Sequence, residues 1–266
     1  MTAKQRPPTI TTQRDGDIML VRLSRPDKRN ALDDETVLGL RNAFINMPKD
    51  VRAAVLYGEG KHFSAGLDLS EVVDTSSNAG VMHGILHSQS WHRAFQDIQF
   101  GPVPVVCVMH GAVVGGGLEL AAATHVRVAE RSTYYALPEG QRGIFLGGGG
   151  SVRITRLTSV ALVQDLMLTG RTLSADEGHA AGLSSYVVDD GQGLAKGIEL
   201  AKKIAGNAPM TNFALLHALP RIAESDMATG LFTESLMASI AENTPEAQQR
   251  LRDFLEKRAA KVVHDK

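Results

Sequence analysis

Three consecutive glycines, Gly115-Gly116-Gly117, stand where a run of strand character (PVPVVCVMHGA) hands over to one of helical character (LELAAATHVRV). Glycine inside a helix costs roughly 1 kcal/mol relative to alanine, through the backbone freedom it loses on folding. Three of them at a helix start imply that a ligand or another backbone must approach more closely than a Cβ permits. The first N–H groups of a helix have no intrahelical partner and lie at the positive end of its dipole, so they suit a negative oxygen. Glu119 follows just inside the same helix. A dinucleotide fingerprint, GxGxxG, would require glycine at 118 or 120, where Leu118 and Leu120 stand. Taken alone, the glycines are also compatible with a tight crossing of helix and strand.

The order strand then helix recurs along the chain. Ile18 to Leu23 reads as a strand closed by Ser24-Arg25-Pro26, and Asp33 to Met47 as a helix capped by Asp33 and ended by Pro48. Ala53 to Tyr57 and Pro104 to His110 read as strands, Leu118 to Ala123 as a helix, and Val126 to Ala129 and Thr133 to Leu137 as short strands. Beyond Ser159 the pattern is helical, with only Ser184 to Val188 of strand character. Residues 1 to about 9 read as a loose tail and 74–80 (DTSSNAG) as a mobile loop. These patterns predict an α/β core over residues 1–205 and a helical region over 206–266.

The charges nearly cancel, 28 Lys plus Arg against 29 Asp plus Glu, so no global field favours nucleic acid or a membrane surface. One cysteine, Cys107, excludes a disulfide within the chain and fits a reducing, cytoplasmic setting. The N-terminal stretch lacks the apolar core of a signal peptide, and no window is apolar for long enough to span a bilayer.

A second loop, Gly60-Lys61-His62-Phe63-Ser64-Ala65-Gly66-Leu67-Asp68-Leu69, also follows a strand and enters a helix. Two backbone donors from separate loops can form an oxyanion hole, a device worth about 3 kcal/mol per donor when charge develops on a carbonyl oxygen. With RPDKRNAL (25–32), HFSAGLDL, HGAVVGGGLELA, LPEGQRGIFLGGGGSVRITRL (137–157), LTGRTLSADEGHAAGLSSYVV (168–188) and FLEKRA, in that order and spacing, the chain resembles the crotonase, or enoyl-CoA hydratase and isomerase, superfamily over nearly its whole length.

The resemblance implies a crotonase-like spiral of strand-strand-helix units with a helical C-terminal region that forms homotrimers or dimers of trimers. It implies an oxyanion hole made by the N–H groups of Leu67 and Gly116, and acid/base positions at Glu119 and Glu139. Ala65, Gly66, Asp68, Gly115 and Gly117 surround these as substrate-binding candidates. Glu119 would help to activate a water that attacks the β-carbon, and Glu139 would exchange the proton at the α-carbon. No metal is needed, and coenzyme A enters only as part of the acyl-CoA substrate. Arg29 matches a basic position near the nucleotide phosphates. Ser70 stands where many relatives carry Lys or Arg, so Lys61, Arg29, or a C-terminal cation of a neighbouring subunit (Lys257, Arg258 or Lys261) would have to supply that charge. Rival readings on the same scaffold are an enoyl-CoA isomerase, an aromatic acyl-CoA hydratase-lyase and a thioester hydrolase. A non-catalytic acyl-CoA binder and an RNA-binding relative are the rivals from other classes, the latter disfavoured by the charge balance.

His62, His83, His87, His92 and His110 lack metal-site spacing. The run Gly147 to Gly150 has no P-loop lysine and reads as close backbone packing with mobility near the site. Leu146 replaces a proline common in the family. Met82, Ile85, Leu86, Trp91 and Phe95 fall where relatives shape the acyl pocket, with core packing as the default role. Phe232 and Leu236 read as closing the pocket or packing on a partner.

Overall fold

Alternating burial along two central strands shows how the core is arranged. In β3 (Ala53–Gly58) and β4 (Val105–Met109), Ala54, Leu56, Val105, Cys107 and Met109 belong to one apolar cluster, while Ala53, Val55, Val106 and Val108 belong to another. A period of two with both faces apolar requires a sheet covered on both sides. The computed structural model describes residues 7–70 and 80–258, and places these strands at the centre of a six-stranded sheet.

The sheet runs β1 (Ile10–Asp15), β2 (Ile18–Leu23), β3, β4, β6 (Val126–Glu130), β9 (Tyr186–Val188). The β1–β2 pair is antiparallel and every other neighbour is parallel. Parallel neighbours need crossovers. Helices α1 (Asp34–Ile45) and α2 (Gly80–Gln99) supply the first two and bury Leu40, Phe44, Trp91, Phe95 and Ile98 in the larger cluster. Asp33 caps α1 by accepting the Thr36 N–H at 2.8 Å, an interaction worth about 1 kcal/mol. The other sheet face is closed by α7 (Gly193–Ala205), where a Cβ on Gly197 would stand 2.5 Å from Val108, so the bare backbone sets the approach.

A second layer carries the site. A three-stranded sheet, β5 (Ala112–Val114), β7 (Tyr134–Ala136) and β8 (Thr172–Ser174), is extended by single parallel bridges from Ser64 to Val113 and from Leu32 to Leu67. Helix α3 (Gly116–Ala122) leaves β5, and α4 (Gly150–Leu157), α5 (Val160–Thr169) and α6 (Ala175–Ala180) follow β7 and β8.

The chain divides into compact units at residues 205 and 206. The second contains α8 (Pro209–His217), α9 (Leu219–Glu224), α10 (Met227–Glu242) and α11 (Pro245–Leu255). Phe232 and Leu236 lie on α10, with 66% and 49% of their surface exposed. Among the described residues no helix is long and apolar enough to cross a membrane.

Three strands escape the sequence patterns. β1 reads ITTQRD, a polar edge strand with no buried residue, and β5 and β8 are three residues each. Helix α3 starts two residues earlier than its apolar residues indicate, because Gly116 and Gly117 are helical. Met82, Ile85 and Leu86 are exposed rather than packed in the core, whereas Trp91 and Phe95 are buried. The loop expected at 74–80 lies outside the described residues except for Gly80, as do residues 1–6 of the expected tail.

Candidate active site

The Ser64–Val113 bridge fixes the register of two loops. Three residues beyond each partner stand Leu67 and Gly116, and a Cβ on Gly116 would lie 3.4 Å from the Leu67 nitrogen. The glycines between make this approach possible. Gly66 (φ +87°) would place a Cβ 2.5 Å from the Val114 oxygen and 3.1 Å from the Gly116 nitrogen. Among the described residues neither the Leu67 nor the Gly116 N–H donates to a protein acceptor, while their neighbours are engaged: Gly66 donates to Ser64 Oγ, Asp68 to the Leu32 oxygen and Glu119 to the Gly115 oxygen. Two free amides therefore face one cavity of about 200 Å³, and Ala65, Gly66 and Gly115 lie on the same wall.

Glu119 enters this cavity from the first turn of α3 with 3% of its surface exposed. Its Oε1 accepts the N–H groups of Gly148 (2.9 Å) and Gly150 (2.7 Å), the latter at the positive end of α4. Arg153, buried behind this turn, donates to the Gly148 oxygen at 3.1 Å and to Gln99 Oε1 at 2.7 Å. Burial pushes the Glu119 carboxyl up to about 7, and the nearby Glu139 charge adds to the rise, while the two amides and Arg153 oppose it. Burial wins. With Oε1 saturated, Oε2 is the oxygen left to exchange a proton.

Glu139 comes from a separate motif, in the short loop after β7 and before a 3-10 turn (Gly140–Arg142). It is 6% exposed, and its Oε2 is buried with no hydrogen-bond partner. Desolvation raises its pKa as well, with Arg142 opposing. Gly115, at φ +51°, makes room for it: a Cβ there would stand 2.5 Å from Glu139 Oε1.

The remaining wall comes from α2. Trp91 donates Nε1 to Asp34 Oδ1 at 3.1 Å, and His87 Nε2 lies 2.8 Å from the same oxygen. Ser88 donates to the Gly147 oxygen at 2.6 Å and so ties α2 to the glycine run.

The site thus brings together Glu119, Glu139, Leu67, Gly116, Ala65, Gly66 and Gly115. Other candidates go elsewhere. Asp68 pairs with Arg25 at 2.9 Å and accepts the Ser70 hydroxyl at 2.7 Å, so it braces the loop rather than the cavity. Gly117 is needed for packing, since a Cβ would stand 2.7 Å from the Ser64 oxygen. Arg29 is exposed in a left-handed turn (φ 51°) outside the cavity wall, near Lys61, His62 and His110, and its charge helps to lower the His62 pKa after burial. Lys257 is exposed after α11 in the second unit, Arg258 pairs with Asp253, and Lys261 lies outside the described residues. Gly148 and Gly150 bind the Glu119 carboxylate, a role their sequence does not announce. Nothing in the local sequence marks Arg142 or Arg153 as site residues either, and His87 stands out there only as one of several histidines without metal-site spacing. Among the described residues no group of three or more His, Cys, Asp or Glu is placed to hold a metal ion.

A family model described as enoyl-CoA hydratase/isomerase matches residues 13–264. The short-chain-enoyl-CoA hydratase of Clostridium acetobutylicum is 29% identical, covering 94% of this chain and 95% of that protein. An enoyl-CoA hydratase of Mycobacterium tuberculosis, EchA19, is 31% identical with 80% of each chain covered. A crystal structure from Rhodopseudomonas palustris, provisionally described as an enoyl-CoA hydratase, superposes with a TM-score of 0.91 at 50% identity, covering 98% of this chain and 100% of that one.

Proposed function

Because the chain belongs to the enoyl-CoA hydratase/isomerase family and has the crotonase fold, we propose that it adds water across the 2,3 double bond of an enoyl-CoA thioester. One observation carries this reading: two unengaged amides and two buried carboxylates of raised pKa share a single cavity. The thioester oxygen sits between the Leu67 and Gly116 N–H groups. As a water oxygen bonds to C3, the π electrons move toward the carbonyl and the oxygen gains charge, which the amides stabilise by about 3 kcal/mol each. Glu119 takes the proton that the water loses. Glu139 gives a proton to C2 as the enolate collapses back to the thioester. A carboxyl near 7 suits this exchange at neutral pH, because both of its protonation states are populated there.

The coenzyme A belongs to the substrate, and the proposed steps use no other cofactor and no metal. Its phosphates fall to Arg29 and Lys61, with Lys257 of a neighbouring copy as a further cation. A homotrimer or a dimer of trimers would cover the apolar face that α10 and α11 expose, where Leu231, Phe232, Phe254 and Leu255 are each more than half accessible. The single buried cysteine suits a cytoplasmic setting.

The test is loss of the conjugated enoyl absorbance when crotonyl-CoA is added. Turnover that Glu139→Gln removes supports hydration. Binding of crotonyl-CoA without any absorbance change in the unmodified protein would overturn it in favour of isomerisation, lyase chemistry or simple acyl-CoA binding.

A further inference from the structure

The cavity wall carries two basic side chains that the hydration steps do not use. Arg142 closes the 3-10 turn after Glu139, lines the cavity, and lies close enough for its charge to act on that carboxylate. Its backbone N–H donates to the Glu139 main-chain carbonyl oxygen at 3.0 Å. Its guanidinium forms no hydrogen bond or ion pair among the described residues, whereas Arg153 behind the same cavity is fully engaged with Gly148 and Gln99. From α2, His87 lines the cavity with Nε2 anchored on Asp34, which orients the ring and leaves Nδ1 for another partner.

Arg142 is exposed at the rim of this cavity, where water solvates its guanidinium and its charge acts on Glu139. An aliphatic acyl chain would give its guanidinium no partner beyond water. A carboxylate would match it, since the planar fork of arginine donates to two carboxylate oxygens at once.

We propose that the enoyl group taken by this site bears a carboxylate at its far end, received by Arg142. The inference rests on the hydratase reading for its substrate scaffold and names that substrate's class. The same anion chemistry could be supplied by the phosphates of coenzyme A, so the test must separate the two sources.

The experiment compares glutaconyl-CoA with its uncharged isostere, 5-methylhex-2-enoyl-CoA, and repeats both as pantetheine thioesters that lack phosphate. The expected result is a kcat/KM ratio of about 10 to 100 in favour of the carboxylated substrate, the range of one charged hydrogen-bonded contact, in both thioester series. Arg142→Gln should bring the ratio near one, and Arg142→Lys should restore part of it. The ratio cancels any general effect of Arg142 on Glu139. A ratio near one in the unmodified protein, or one that Arg142→Gln leaves intact, overturns the proposal. So does a loss in Arg142→Gln that is equal for both CoA thioesters and absent for the pantetheine series, which would assign Arg142 to phosphate. If crotonyl-CoA and all these thioesters go unhydrated, the hydratase reading fails instead, and the same ratio read as Kd by calorimetry still decides the carboxylate site.

Discussion

Glu119 and Glu139 reach one cavity from walls built in different ways. Glu119 stands on a helix, and one of its oxygens is clamped by two amides of the Gly147–Gly150 run with Arg153 behind them. Glu139 stands on a loop before a single 3-10 turn, and one of its oxygens is buried without a partner. The clamp fixes where the first carboxylate points and reserves its other oxygen for exchange. The second carboxylate is placed by space alone, in the gap left by Gly115. Water activation needs a fixed acceptor, and proton delivery to carbon needs an oxygen with no competing bond. In the proposed hydration the two walls would supply one of each.

The sharpest way to break this comparison is to replace each carboxylate with its amide. Glu139→Gln and Glu119→Gln should each lower kcat on crotonyl-CoA by about 10²- to 10⁴-fold, the usual worth of a positioned acid or base. A Glu119→Gln protein that hydrates normally while Glu139→Gln is dead would refute the division of labour. Stability should separate the two walls next. Glu119 titrates at about 7 in the fold against 4.5 for an ordinary glutamate, so the unfolded chain ionises first. Its contribution is fully present below pH 4.5 and is lost as pH rises toward and through 7, an effect of about 3 kcal/mol. Glu119→Gln keeps an oxygen for the two amides and has no charge to bury. Thermal unfolding should therefore find it gaining on the unmodified protein between pH 5 and pH 8, and parallel curves would contradict the burial argument.

Smaller effects resolve the glycine run itself. A Cβ on Gly150 would stand 2.6 Å from Glu119 Cγ and 2.9 Å from its Oε1, whereas one on Gly147 meets only Ser88 Oγ at 3.8 Å. Gly150→Ala should cost kcat about tenfold or more by displacing the carboxylate, through overpacking of about 1–3 kcal/mol. Gly147→Ala should change kcat by about threefold or less. Equal losses at the two positions would mean that the run acts through flexibility rather than as a clamp.

The contrast also explains what the sequence could convey. Strands β2, β3 and β4 are apolar runs bounded by turn residues, and α1 has both a capping aspartate and apolar residues at steps of three and four, so local pattern and tertiary burial agree there. β1 gives no such signal because its side chains stay in or near solvent, although it pairs with β2 locally across Gly16 and Asp17. At the site, Glu119 and Glu139 were legible because their motifs are contiguous. The Glu119 clamp was not, since it joins residue 119 to residues 148 and 150 through main-chain N–H groups that any sequence possesses. Asp68 shows the converse: a charged residue inside a functional loop whose partner, Arg25, lies 43 positions away.

One feature of the cavity fixes more than rate. Gly115, which makes room for Glu139, directly precedes the helix that carries Glu119, and the two carboxyls feel each other's charge. In the proposed hydration both carboxyls act from this one cavity, so the hydroxyl and the new hydrogen are expected to enter the same face of the alkene. Hydration in deuterium oxide is then expected to yield a single diastereomer, and a methyl group at position 115, which would displace Glu139, to blur it.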